Sequence, residues 1–464
     1  MKGMTQKRPN IVFILSDDQG AWAMGCAGNS EIQTPNLDRI ASEGMRFSSF
    51  FCTSPVCSPA RASLLTGRIP SQHGVHDWIC EDPAGAESPE YLQGQIGYTD
   101  ILKANGYHCG ISGKWHLGNS FQAQKGFSYW YVHQSGGGPY YNAPMISNGQ
   151  LHHEEGYVTD AITDGALRFL DKVDDSQPFY LSVHYTAPHS PWVNNHPKDI
   201  VDSYEDCPFT SCPQEQPHPW AIKTTPWGDD TKQNLQGYFA AVTAMDQNIG
   251  RILDKLDNME VREKTLICFM SDNGFSCGHH GFWGKGNGTF PQNMYDSSVK
   301  VPALFSQPGR IPQGIVCDEL ISGYDFMPTL LEYVGLEKPE HADILPGRSF
   351  VPLLLGEQSA NENPIVVFDE YGPVRMIRTK EWKYVHRYLD GPHELYDLLH
   401  DPEEINNLID CKTQAEKISE MKACLESWFV RYVDPVLDGT KEPVSGNGQL
   451  NLIGPAGKGE KAFQ

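Results

Sequence analysis

NIVFILSDDQG, residues 10–20, is an apolar run that stops abruptly at two adjacent aspartates. Unbroken hydrophobicity of this length suits a strand covered on both faces, as in a parallel sheet. The pattern returns in ICFMSDNGF (267–275), where the run again ends in Ser-Asp, followed by an asparagine. YHCGIS (107–112), FYLSVHY (179–185) and VPALFS (301–306) read as further strands of this kind. Between them, 34–43, 99–105, 159–172 and 234–256 carry helix-start signals or apolar positions at three- and four-residue spacing. This alternation predicts an α/β fold on a large, doubly wound, mostly parallel sheet.

Near residue 361 the style changes. PIVVFDE, VRMIRT and WKYVHRY read as short antiparallel strands, LYDLLHDPEEINNL as a loop and 412–432 as an amphipathic helix. A main domain over 1–360 and a smaller α+β subdomain over 361–464, containing an antiparallel sheet, are expected. The stretch 205–230 reads as an irregular surface insertion, and the Gly-rich tail beyond 437 as loosely ordered.

The chain has 464 residues and a formal net charge of −22. An acidic surface argues against nucleic acid or an anionic membrane as the main partner, although a pocket can carry the opposite sign. No window is long and apolar enough for a transmembrane helix, and MKGMTQKRPN lacks the features of a signal peptide. A cytoplasmic location is therefore expected. The twelve cysteines form no CxxC pair and read mostly as reduced core residues.

In an open α/β sheet, ligands sit beyond the carboxyl ends of the strands. Successive side chains on a strand point to opposite faces, so Asp17 and Asp18 can serve one ion only where the backbone has begun to turn. With Asp272 and Asn273 they make an all-oxygen set, the preference of a hard cation such as Ca²⁺ or Mg²⁺. Either pair alone reads better as a turn-forming strand end; two matched pairs favour a metal.

CSPARASLLTGR (57–68) supplies the partner. Ser58 can cap a helix, Pro59 suits its first position and Gly67 its end. Cys57 would lie just before the helix N-terminus, with Arg61 one turn in, a setting that favours a thiolate. A thiolate beside a hard cation is a poor match, so the ligand set calls for oxygen at position 57.

The segment C-S-P-A-R followed by A-S-L-L-T-G-R closely resembles the signature of type I sulfatases, in the alkaline-phosphatase-like superfamily. FILSDDQG, SGKWHLG, HYTAPHSPW, SDNG, GFWGKGN, RMIRTKEWKYV and LYDLLHDPEEINNL resemble that family's landmarks in the same order. The resemblance implies a maturation enzyme that oxidises Cys57 to formylglycine, whose hydrate offers oxygen to one divalent ion (Ca²⁺ first, Mg²⁺ second) and a hydroxyl to the substrate. It implies metal ligation by Asp17, Asp18, position 57, Asp272 and Asn273. Arg61 would orient the nucleophile, and Lys114 and His116 would meet the sulfate. His189 or Lys285 would assist the departing alcohol, with His116 as the base that releases sulfate.

A small sulfated sugar is the expected substrate, on the polar and aromatic stretches HGVHDW (73–78), WYVHQSGGGPYYN (130–142) and DEYGPVR (369–375). Asp77, Trp78 and Arg375 are the candidate sugar contacts. One alternative is a phosphonate monoester or phosphodiester hydrolase of the same superfamily; His279 and His280 keep a two-zinc phosphatase in view. The other is a non-catalytic glycan-binding relative. The sequon Asn287-Gly288-Thr289 lies beside Lys285, where a glycan would block the pocket, and is read as accidental.

Overall fold

A computed structural model describes residues 8–80, 88–174, 176–222, 230–339, 344–357 and 366–464. The strand Asn10–Ser16 lies at the centre of a sheet of eleven described strands. It pairs in parallel with Phe179–His184 on one side and Thr265–Ser271 on the other. His108–Lys114 and Tyr129–His133 extend the parallel run beyond 179–184.

Alternate residues of the central strand feed opposite cores. Ile11, Phe13 and Leu15 enter one apolar cluster, while Val12 and Ile14 enter the other. Leu266, Cys268 and Met270 divide from Ile267 and Phe269 in the same way. The unbroken runs are therefore strands with water on neither face. One cover is the helix Asp230–Asn258, whose Tyr238, Val242, Met245, Ile249, Ile252 and Leu256 recur at helical spacing in the second cluster. Full burial of side chains of this size stabilises by about 1.5–3 kcal/mol each.

The margins of the sheet depart from the parallel expectation. Lys300–Ser306 runs antiparallel to its neighbours 265–271 and Met45–Phe51. At the other edge, Ala143–Ser147 and Gln150–Glu154 form an antiparallel hairpin. A separate four-stranded antiparallel sheet is built from Val367–Tyr371, Val374–Arg378, Trp382–Arg387 and Glu394–Asp397. Its last strand begins the segment expected to be a loop. The helix Ala415–Tyr432 packs on this sheet through Met421, Leu425 and Phe429. The junction expected near 361 lies outside the described residues.

The tail is not loose. Gln449 is completely buried, and its main chain bridges Ile79 on one side and Phe463 on the other. Among the described residues, no helix is long and apolar enough to cross a membrane.

Candidate active site

The two Asp-bearing loops leave adjacent strands at the same end of the sheet. Asp18 takes φ 66°, the turn that lets neighbouring carboxylates face one point. The Asp272 carboxylate accepts from the main-chain N–H of Asp18 (3.2 Å) and of Asn273 (2.9 Å), which ties the loops together. Tyr238, from the long helix, accepts from the Gly20 N–H and donates to the Asp18 carbonyl. Carboxylate oxygens of Asp17, Asp18 and Asp272 lie within 4.8 Å of one another, all buried. Asn273 Oδ1 beside them is a buried acceptor without a hydrogen-bond partner. Three converging carboxylates and an unpartnered amide oxygen fit a hard divalent cation.

Cys57 opens the helix Cys57–Thr66, which ends at Gly67 with φ 68°. Val56, not Ser58, is the N-cap, so Cys57 is the first helical residue and Pro59 the third. Ser58 is used elsewhere: its hydroxyl accepts from the Ile79 N–H at 3.1 Å. Cys57 Sγ lies 3.4 Å from Asp17 Oδ1 and 2.8 Å from Lys285 Nζ. Burial, followed by the neighbouring Asp17 charge, pushes the thiol up to about 12. Burial thus opposes the thiolate that a helix N-terminus would favour, in keeping with an oxygen rather than a thiolate at this position.

Arg61 donates to Asp272 (2.9 Å) and to the Lys114 carbonyl (3.2 Å), which fixes its guanidinium between the Asp272 loop and the end of the strand 108–114. Lys114 Nζ lies 2.5 Å from Asp17 Oδ2, and Lys285 Nζ 2.5 Å from Asp18 Oδ1. Burial opposes ionisation of both aspartates, yet Lys114 holds Asp17, and Lys285 holds Asp18, below the usual carboxylate range, with help from His189. His189 Nε2 stands 3.7 Å from Asp18 Oδ2.

Lys114 ends its strand, and His116 has φ 56°, so the pair is not the extended i, i+2 arrangement expected. Both nevertheless reach the same cavity, while Trp115 between them is buried against Phe127 and Trp130. His116 Nε2 lies 2.9 Å from the Ile79 carbonyl, which can only accept, so Nε2 carries the proton. Nδ1 then keeps a lone pair and has no partner. Burial, reinforced by Lys114, drives the imidazole well below its ordinary value and keeps it neutral.

These groups open on a cavity of about 290 Å³ lined by Cys57, Trp78, Ile79, Lys114, His116, Gly136–Gly138, His189, Lys285 and Asn287. A larger recess of about 1200 Å³, beside Asn10 and Phe179, lies at the other end of the strands and holds none of this chemistry. Of the three proposed sugar contacts, only Trp78 lines the cavity. Asp77 is buried and engaged by the Tyr371 hydroxyl and the N–H groups of Trp78 and Gly448. Arg375 is spent on Glu370, Ser71 and Asp438, with its guanidinium over the Phe429 ring. His279 and His280 are likewise elsewhere: one meets the Ser211 carbonyl and the other stacks on Tyr295.

The stretch 130–142 is expected at the pocket and its Gly136–Gly138 do line it, but the sequence reading gives those glycines no role. A Cβ on Gly136 would come 2.0 Å from His116 Nε2, and one on Gly137 would come 3.4 Å from His189. The signal was present as three consecutive glycines after a strand, a run that lets backbone approach side chains closely.

A sulfatase family model matches residues 9–336, and one for the C-terminal part of N-sulphoglucosamine sulphohydrolase matches 278–430. N-acetylglucosamine-6-O-sulfatase of Bacteroides thetaiotaomicron is 29% identical over 96% of this chain and 90% of its own. Choline-sulfatase of Rhizobium meliloti is 30% identical, over 88% of this chain and 83% of its own. A structure solved in complex with its substrate D-glucosamine-2-N,6-O-disulfate matches with a TM-score of 0.81 at 27% identity. That match covers 94% of this chain and all of the other. Family models that together span most of the length, and relatives matched nearly end to end, make this chain a member of the sulfatase family, hydrolases of sulfuric esters.

Proposed function

We propose that this sulfatase removes sulfate from a small sulfated carbohydrate, with Cys57 matured to formylglycine and one divalent ion, Ca²⁺ before Mg²⁺, beside it. The observation that carries the reading is the convergence of Asp17, Asp18, Asp272, Arg61, Lys114 and Lys285 around Cys57 at one cavity. Asp17, Asp18, Asp272 and Asn273 would hold the ion, with an oxygen at position 57 completing the set. The ion supplies positive charge opposite the negative charge that develops on the sulfate oxygens. Three carboxylates facing three basic side chains nearly cancel, so a bound dication leaves the cavity attractive to a monoanionic sulfate ester.

Each side chain has a task that its contacts support. Arg61, fixed by Asp272, orients the group at position 57. Lys114 and Lys285 present charge to the nonbridging oxygens, where fixed donors act most strongly in a desolvated site. His189, whose side chain is 28% exposed at the mouth, protonates the departing alcohol. His116, neutral and with Nδ1 free, accepts the proton when sulfate is released. Cys57 is only 2% exposed, so a maturation enzyme must reach it before the fold closes. We take 1–360 as the catalytic portion and 361–464 as a subdomain that backs it.

The sugar rather than another alcohol is supported by the wall. Among the described residues it includes an indole and an asparagine but no carboxylate, whereas a choline ester calls for anionic or aromatic-cage surroundings. The N-acetylglucosamine-6-O-sulfatase relative and the glucosamine disulfate complex make 6-O-sulfated amino sugars the first compounds to try. The test uses protein co-expressed with a formylglycine-generating enzyme, the aldehyde confirmed by mass spectrometry over 54–68. Sulfate release is then measured from sulfated mono- and disaccharides, choline sulfate, and the sulfate and phosphonate esters of one phenol. Turnover of a sugar sulfate is expected; turnover of choline sulfate alone, or preference for the phosphonate, overturns the assignment.

A further inference from the structure

Two side chains of the cavity wall, Trp78 and Asn287, come from distant parts of the chain, yet both donate to one atom. Trp78 Nε1 lies 3.0 Å, and Asn287 Nδ2 3.3 Å, from the carbonyl oxygen of Gly446. A carbonyl has two lone pairs, so this acceptor is saturated by the pair. Gly446 takes φ 84°, and a Cβ there would sit 2.9 Å from Asn287 Cβ. Gly448, at φ 116°, faces the indole: its Cβ would lie 2.3 Å from Cys80 Sγ and 3.0 Å from the Trp78 ring.

The segment bearing these glycines is locked in place. Gln449 N–H donates to the Trp78 carbonyl (2.7 Å), and Cys80 N–H donates to the Gln449 carbonyl (2.9 Å). The buried Gln449 amide accepts from the N–H of His76 and donates to the carbonyls of Gly74 and Asn451. Asp77 completes the tie, accepting from Trp78 N–H and Tyr371 hydroxyl on one oxygen and Gly448 N–H on the other.

We propose that residues 446–449 are a specificity clamp, in which the Gly446 carbonyl sets the angle of Trp78 and Asn287 against the substrate's alcohol portion. This rests on the carbohydrate reading above and adds to it the device that shapes the wall. Gly446, Gly448 and Asp77 are positioning residues: none is among the residues that line the cavity, and each acts through side chains that do. Among the described residues the clamp makes no hydrogen bond to the carboxylate cluster or to Cys57. It meets the chemistry through the Ile79–Cys80 peptide, whose N–H donates to Gln449 and whose carbonyl faces His116. Substitutions at Gly446, Gly448 and Asp77 leave those two bonds in place, so they act on grip on the sugar.

The test compares G446A, G448A and D77N in matured protein, using 4-nitrophenyl sulfate and the sugar sulfate turned over by the wild type. Asp77→Asn puts an amide donor opposite donors and loosens the tie without adding bulk. KM for the sugar sulfate is expected to rise about tenfold in at least G446A and D77N. kcat on the sugar, and both constants on the aryl sulfate, should stay within about twofold. Thermal unfolding runs alongside: kcat falling in parallel on both substrates with a lowered Tm marks a merely structural role and overturns the clamp. Unchanged KM in all three variants overturns it too, while the carbohydrate reading stands. A wild type that cleaves the aryl ester and no sugar overturns both.

Discussion

Two of the molecule's buried knots of carboxylates and cations are built differently. In the first, Asp17, Asp18 and Asp272 converge within 4.8 Å, with Arg61, Lys114 and Lys285 around them and a cavity on one side. In the second, Lys383 of the small sheet sits between Asp296 and Glu404, each at 2.5 Å, while Arg378 makes two bonds to Asp296. There the cation is the hub and the carboxylates are the rim. Among the described residues, the second knot does not bring three metal-ligating groups together. In the first, three carboxylates converge beside a cavity, with their cations on the flanks; the second bolts the C-terminal sheet to the body. Buried charge marks a site when the like charges converge.

The sharpest way to break this contrast is to remove the nucleophile's source. Cys57→Ala is expected to lower turnover by at least about a thousandfold while leaving urea unfolding near that of the wild type. Substantial residual activity would remove position 57 from the chemistry. Lys383→Met should do the reverse, destabilising by about 3–5 kcal/mol in urea titration because two carboxylates lose their cation. At temperatures where the variant remains folded, KM should be unchanged; a catalytic loss without a stability loss would reverse the roles of the two knots.

Gly136→Ala probes the first knot more gently. Its Cβ displaces the His116 ring from the Ile79 carbonyl, and kcat should fall about 10–100-fold with little change in Tm. A rate within twofold of wild type would deny His116 its proton-accepting place. The smallest effect concerns Asp325, a buried carboxyl that accepts main-chain N–H bonds from Ser322 and Arg348 but lies in neither knot. Burial pushes it up to about 7 from an ordinary 3.8, against the pull of those donors. The folded chain holds this proton where the unfolded chain releases it, so stability falls as pH rises from about 4 to 7. Asp325→Asn should flatten that decline in pH-dependent unfolding; an identical slope removes Asp325 as its source.

Much of this was readable in the sequence because strand ends and helix ends carry chemical punctuation. IVFIL and LICFM suit strands buried on both faces, and Asp17-Asp18 had to fall in a turn to act together, a turn that Asp18 makes at φ 66°. What escaped depends on direction and burial. Asp77 and Arg375 have the polarity of sugar contacts, but Tyr371 takes up Asp77, while Glu370, opposite Arg375 on the neighbouring strand, and the distant Asp438 take up Arg375. The burial that pushes the Cys57 thiol upward is a tertiary property that the helix start does not reveal. MRFSSFF at 45–51 interrupts its apolar residues with serines, so an inner strand looked unremarkable. The glycines of the tail suggested looseness because their close fit against Trp78 and Asn287 is a tertiary fact.

The most direct measurement is calorimetric titration of Ca²⁺ into metal-stripped, matured protein, repeated for Asp17→Asn with Asp272→Asn and for Lys383→Met. One ion per chain is expected, lost in the double aspartate variant and retained in Lys383→Met, with sulfate ester turnover following occupancy. Binding that survives loss of both aspartates, or full turnover without any divalent ion, would contradict that expectation.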